Sequence, residues 1–355
     1  MELTLQAPLP ESIAKRFHAL FEPTARIYVL GRNAYAESIA RVLPVEAFVD
    51  DYTREAEYLG RPIVKVEGLP RDALVVSCVV DGRPLSALSR LAGAGVDERI
   101  DYFTLYRMAP RLFRPPPFSS ENLQDILGNT DKYEWLWRRL ADDDSRRTLE
   151  KITNFRLNWS LEYMAGFSVD FEAQYFEPFV RFGSGEVFVD GGGFDGQTSR
   201  AFARHAPGYK RIHYFEPSPD MMRASQLALA AVENVSFVQK GLFSRNGIAR
   251  FDASAGSASG LADEGTLQIP IVRLDDEVQE PVSFIKLDLE GAECDALEGA
   301  REHLCNDRPK LAVSVYHDQR DFWRVPEKVL SINDSYRVHL RHYTEGPLET
   351  VMYFT

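Results

Sequence analysis

Residues Glu186–Arg204, EVFVDGGGFDGQTSRAFAR, decide the fold. A β-rich run, Val187 to Val189, ends at Asp190, and Gly191, Gly192, Gly193 and then Gly196 open an amphipathic segment. Glycine lets a backbone approach a ligand closely and adopt positive φ without steric cost. Strand, glycine turn and helix start together form a nucleotide-type site, with amide N–H groups and a positive dipole end facing the ligand. The next strand strengthens that reading. RIHYFEPSPD carries Glu216 about 20 residues beyond the glycines, where a carboxylate accepts from ribose hydroxyls. A further strand, SFIKLDLEGAE, ends in Lys286, Asp288 and Glu290.

Working outward, the same alternation continues on both sides. Strands are expected at 187–189, 212–215, 235–238, 283–287 and 310–315, with helices at 198–205, 219–232 and 291–301. AGSASGLADEG, 255–265, reads as a small-residue loop. The chain then runs through YRVHLRHYTEGPLETVMYFT, two β-rich runs around a turn, which gives a reversed hairpin. Towards the N-terminus, RIYVLG, EAFVDD and ALVVSCVV are Val/Ile/Leu-rich strands separated by amphipathic segments, a small doubly wound domain. Gly31 there is followed by Arg32 and Asn33 rather than by the later glycines of a dinucleotide fingerprint, although Asp50 and Asp51 end the second strand. The prolines of RLFRPPPFSS, 111–120, mark a boundary. A helical stretch follows to about Met164, broken and re-capped near Asp142–Ser145, with Trp135, Trp137 and Trp159 read as packing residues. DFEAQYFEPFVRF, 170–182, is placed to cross the mouth of the site, which brings in Gln174 and Tyr175. The expected division is an N-terminal Rossmann-like α/β domain at 1–115, a mainly helical connector at 116–184 and the glycine-turn core at 185–355.

Composition narrows the function. The 355 residues are 45% hydrophobic, enough for two packed cores. A formal charge of −12 argues against a nucleic-acid surface and suits neutral or cationic small ligands. Three cysteines without paired spacing indicate neither a disulfide framework nor a zinc site. The first residues lack a secretory pattern and no run of about 18 apolar residues exists, so a cytoplasmic protein without a membrane span is expected.

These motifs resemble the FkbM-type S-adenosylmethionine-dependent methyltransferases. The family's D-V-G-A-N-x-G turn is matched by DGGGFDG, where Asp190, Gly192 and Gly196 agree, Gly193 stands for alanine and Phe194 for asparagine. Phe215, Glu216 and Pro217 match its F-E-P signature. Ile285, Lys286, Asp288, Glu290, Gly291 and Glu293 match I-K-x-D-x-E-G-x-E. The resemblance implies a class I methyltransferase fold, a Rossmann-like doubly wound sheet with an antiparallel C-terminal hairpin. It also implies O-methylation of a sugar, glycan or natural-product hydroxyl.

On this reading, Asp190, Gly191, Gly192, Gly193, Phe194 and Gly196 face the methionine and ribose portion of the donor. Glu216 and Pro217 lie at its ribose, and Gly241 and Phe243 near its adenine. Period two puts Lys286, Asp288 and Glu290 on one face of a strand end. Asp288 is the expected base, with Glu290 and then His317 as alternatives, while Lys286 orients the acceptor or keeps Asp288 ionised. The competing structural role is a Lys286–Glu290 ion pair with Glu290 capping the next helix. His342 reads as a packed hairpin residue, and no spacing among Asp, Glu and His demands a metal. The N-terminal domain recruits the acceptor or mediates homodimerisation. Two other functions compete: a nucleotide-sugar or NAD-binding protein working through the N-terminal domain, and a non-catalytic donor-binding module.

Overall fold

The computed structural model describes residues 1–5, 7–119, 122–252, 260–261 and 267–355. Its contacts divide the chain into two compact units. The first comprises Met1–Gly128, Arg147–Val169 and Tyr343–Leu348, and the second comprises Asn129–Arg146, Asp170–His342 and Glu349–Thr355. The stretch 116–184, read from sequence as one connector, is shared between them.

The first unit carries strands β1 (Ile27–Leu30), β2 (Val45–Val49), β3 (Glu57–Tyr58), β4 (Arg61–Val64), β5 (Leu74–Ser77) and β6 (Arg99–Asp101). They form one sheet in the order β3-β4-β2-β1-β5-β6, parallel except for the β3–β4 pair. Val/Ile/Leu runs buried on both faces produce this arrangement. Its first turn is built on a side chain rather than on glycines. Asn33 Oδ1 accepts from Tyr35 N and Ala36 N, capping the helix Ala34–Ala40, and Asn33 Nδ2 donates to Cys78 O at 2.9 Å. Asp50, the acidic residue ending β2, already holds Arg32 at 2.8 Å and the amides of Tyr52 and Thr53. Trp159 stacks on Phe103, 5.9 Å between centroids.

The second unit is built on β7 (Val187–Gly191), β8 (Arg211–Phe215), β9 (Val235–Val238), β10 (Gly241–Leu242), β11 (Gly247–Asp252), β12 (Gly260–Leu261), β13 (Leu267–Val272), β14 (Phe284–Leu287), β15 (Lys310–Ser314), β16 (Val338–His342) and β17 (Thr350–Phe354). Seven of these form a sheet in the order β16-β17-β15-β14-β7-β8-β9. β17 runs antiparallel to both β15 and β16, and the other pairs are parallel. This is the doubly wound sheet with a reversed hairpin. Strand succession changes direction between β7 and β14, which is where ligands collect in open α/β sheets. Phe284 and Phe188 are register partners and stack at 5.0 Å, with Phe202 at 4.4 Å from Phe188. That aromatic stack clamps the two central strands and the helix Gln197–His205 together.

A four-stranded sheet, β10-β13-β11-β12, was not legible in the sequence. Of the expected loop 255–265, Gly260 and Leu261 form β12, and the rest lies outside the described residues. The helical stretch breaks where expected: the helix Thr130–Arg139 ends, and Asp142 Oδ1 accepts from Ser145 N at 2.7 Å at the start of Asp143–Asn158.

Gly193, the position where the family has alanine, is set by Tyr214 on the neighbouring strand. A Cβ there would sit 2.1 Å from the Tyr214 ring. Tyr214 is fully buried and its hydroxyl donates to Phe194 O at 3.0 Å, so it cannot retreat freely. Gly193→Ala should therefore cost about 1–3 kcal/mol in urea unfolding. Combining it with Tyr214→Leu should recover part of that loss, and strict additivity of the two changes would refute the steric account.

Candidate functional site

The turn after β7 is pressed directly against the end of β14. Gly192 has φ +73°, and a Cβ on it would lie 1.9 Å from the carbonyl oxygen of Asp288. Only glycine permits that approach. Beneath it lies Lys286, buried, whose Nζ donates to Gly192 O at 2.6 Å and to Gly191 O at 3.2 Å. The same ammonium is 3.4 Å from Asp190 Oδ1, while Asp190 Oδ2 accepts from Ser199 Oγ at 2.6 Å. Lys286 and Asp190 are thus internal braces of the turn. The anticipated Lys286–Glu290 pair is not what forms.

The turn's amides are spent within the protein. Gly192 N and Gly193 N both donate to Phe215 O, Gly196 N donates to Gly193 O, and Phe194 N donates to Glu216 Oε2 at 3.0 Å. The expectation that these amides face a ligand therefore fails at those four positions. A diphosphate, which needs such amides, is poorly served here. A ligand whose charge is positive does not need them. Glu216 is buried at the end of β8, its second oxygen accepting from Ser218 N at 2.8 Å. Burial raises its pKa against the pull of those two amides and of Lys286. Each oxygen keeps a lone pair for a hydroxyl donor. Pro217 follows, half-buried.

β14 ends at Leu287, so Asp288 to Gly291 leave the strand, and the period-two alignment of Lys286 with Glu290 does not hold. Glu290 turns on a left-handed backbone, φ +53°, and does not cap the helix Glu293–Gly299. It joins instead a cluster of carboxylates around His317. His317 Nδ1 lies 2.9 Å from Glu293 Oε1, and Nε2 lies 3.4 Å from Asp288 Oδ1 and 3.5 Å from Glu290 Oε1. His317 and Glu293 are buried, whereas the Asp288 side chain retains 23% of its exposure. Tyr175 OH donates to Asp288 Oδ2 at 3.0 Å, and Tyr316 OH reaches Asp288 Oδ1 at 3.4 Å and Glu349 Oε1 at 3.5 Å. Gln174 Nε2 donates to Glu349 Oε2 at 2.6 Å.

The electrostatics follow from this crowding. Burial works to raise the Asp288 pKa, but Lys286, His317 and the Tyr175 hydroxyl outweigh it and hold the group below the usual range. Its neighbour Glu349 moves the other way, pushed up to about 7 by burial and by the Asp288 charge. The two are linked by the Tyr316 hydroxyl, which reaches both, and by the Asp288 charge that raises Glu349. For His317, burial disfavours the cation, yet Glu293, Glu290 and Asp288 raise it well above the ordinary imidazole value. Its surroundings therefore favour the imidazolium form.

Tyr175, Phe194, Glu290 and Glu349 all have positive φ, between +50° and +71°. Non-glycine residues held this way gather at functional sites. Gly241 and Phe243, expected near adenine, lie in and just after β10, where Phe243 packs on Ile269 and Ile271 of the small sheet. His342 pairs with Thr350 Oγ1 at 2.8 Å inside the hairpin. Glu349 and Tyr316 were not singled out from the sequence, and Glu293 was noted only as a motif match. No local pattern announces Glu349, because the antiparallel return of β17 is what brings it to Asp288.

A glycine turn at the switch point, an acidic residue ending the next strand and a K-x-D end on the central strand make up the layout of the site. Residues 189–344 match the family described as Methyltransferase FkbM domain. The protein is an S-adenosylmethionine-dependent methyltransferase. A crystal structure of Methyltransferase FkbM from Methylobacillus flagellatus KT superposes with TM-score 0.76 at 23% identity, covering 98% of this chain and 94% of that one, which establishes the fold. Aeropyrum pernix fibrillarin in complex with natively bound S-adenosyl-L-methionine matches more partially, TM-score 0.34 at 14% identity over 50% of this chain and 68% of that one. No curated protein matches the chain. Among the described residues, no helix is long and apolar enough to cross a membrane.

The donor fits the residues present. The turn offers spent amides where a phosphate would need free ones, and a carboxylate-rich surround that suits a sulfonium and an ammonium. Replacing Lys286 by Met should leave the Asp190 carboxylate buried without its counter-ion, at a cost of about 3–5 kcal/mol. Urea unfolding measures it, and a loss under about 1 kcal/mol, the level of a surface pair, would show that the turn does not depend on this ammonium.

Proposed function

We propose that this enzyme methylates a hydroxyl of a sugar, glycan or natural product, with the acceptor seated against Asp288. The observation that carries the reading is the convergence of the Gly191–Gly196 turn, Glu216 and Asp288 at the β7/β14 switch point. S-Adenosylmethionine supplies an activated methyl group whose transfer needs alignment and removal of the acceptor's proton. Gly192 and its neighbours would hold the methionine and ribose portion, with Glu216 taking ribose hydroxyls. Lys286 and Asp190 fix the turn and so fix that position, a contribution to alignment rather than to proton transfer.

The proton's destination is the Asp288–Glu349 pair. Asp288 is the partly exposed member, steadied by the Tyr175 and Tyr316 hydroxyls. Glu349, tied to Gln174, has the proton affinity a base needs at neutral pH. Glu290 and His317 act on the pair electrostatically. Hydroxyl acceptors are favoured because the ring of carboxylates and phenols offers both donors and acceptors to a neutral polyol.

Two outcomes test the assignment. Asp288→Asn should lower turnover by about 10²–10⁴-fold while S-adenosylhomocysteine affinity, measured by calorimetry, stays nearly unchanged. Turnover equal to the parent's would remove Asp288 from the reaction. The base must be ionised to act, so kcat/KM should rise with pH through about 7 and level off above it. Glu349→Gln should abolish that rise, and an unaltered profile would place the proton elsewhere. Labelled donor with a panel of saccharides and hydroxylated natural products identifies the acceptor class.

A further inference from the structure

We propose that Asp288, Glu293 and His317 form a binding site for a divalent cation beside the acceptor position. The idea deepens the reading above and rests on it, since Asp288 belongs to both. One carboxylate oxygen each from Asp288 and Glu293 and one ring nitrogen of His317 lie within 4.8 Å of one another. A cation bound at about 2.0–2.2 Å needs its ligand atoms no farther apart than roughly twice that, so the widest-set of these groups need to close by about 0.4–0.8 Å.

One further observation points to a cation rather than to an ordinary acidic patch. Glu293 is completely buried, its carboxylate turned to His317, and its Oε2 has no hydrogen-bond partner. A buried carboxylate oxygen without a partner is costly, and a metal ligand bond is one way to satisfy it. Glu293 itself is fixed by Leu289 N, which donates to Oε1 at 2.7 Å.

One imidazole with carboxylates suits Mn²⁺, Fe²⁺ or Zn²⁺ better than a soft cation. Binding displaces the proton from the imidazole. Placed next to the acceptor, such a cation orients the hydroxyl and lowers its pKa, leaving Glu349 to receive the proton. Glu290 stands close enough to Nε2 to steer the cation from the side.

The experiment uses the full chain, stripped of metal and titrated with Mn²⁺ alone, reading the loss of the free-ion signal by electron paramagnetic resonance. One equivalent should bind. Glu293→Gln should weaken it by about 10–100-fold, and Asp288→Asn, the milder change, should also weaken it at least tenfold. S-Adenosylhomocysteine calorimetry on the same samples reports whether each variant is folded and whether the donor site survives. A parent protein that leaves the free Mn²⁺ signal intact, or variants that bind as it does, overturns the cation site. Retained S-adenosylhomocysteine binding in that case leaves the methyltransferase reading standing, whereas failure of the parent to bind it would count against that reading instead.

Discussion

One buried ammonium organises the second unit's site. Lys286 leaves the central strand β14 and reaches under the glycine turn, where it satisfies two backbone carbonyls and faces the Asp190 carboxylate. A cation in this position is stable only because those partners are all present, and the partners are held only because the cation is there. The contact of Gly192 with the Asp288 carbonyl, the path of the turn, and the depressed proton affinity of Asp288 all follow from that placement. An alkyl chain of the same length would keep the packing and lose the electrostatic link between turn and strand end.

The strands of the core were readable because buried parallel strands have few alternatives. VFVDG, RIHYF and FIKL are short apolar runs bounded by glycine or charge, and they became β7, β8 and β14 within a residue or two. The family motifs fell at their carboxyl ends for the same reason. The four-stranded sheet was missed because GIARFD and LQIPIV lie on either side of a small-residue segment that carries no turn signal a hairpin rule can use. The site was half legible. Asp288, Glu290 and His317 were found from motif and strand-end position, but their mutual arrangement was not, since β14 stops at Leu287 and the period-two rule stops with it. Glu349 was invisible. It follows a hairpin loop in a region of ordinary β sequence, and only the pairing of β17 with β15 carries it to Asp288.

Negative charge is the other theme. In a chain of formal charge −12, Asp288, Glu290, Glu293, Asp318, Asp321 and Glu349 crowd around His317. Burial together with Glu293 and Asp318 pushes Asp321 up to about 8, so part of this group is protonated at rest. Such a neighbourhood is hostile to anions and draws cations, whether a sulfonium, an ammonium or a metal. It also makes the proton affinity of Glu349 depend on the Asp288 charge, and that of Asp321 on Glu293 and Asp318.

Tyr175, Phe194, Glu290 and Glu349 hold left-handed backbone conformations that glycine would adopt with less strain. A laboratory selection for heat resistance alone should therefore drift towards glycine at these four places, gaining on the order of 1 kcal/mol at each. Selection for turnover should reverse the drift at Tyr175, Glu290 and Glu349. The discrepancy between the two outcomes would sort, position by position, where the chain tolerates strain for the sake of a side chain from where the strain is incidental.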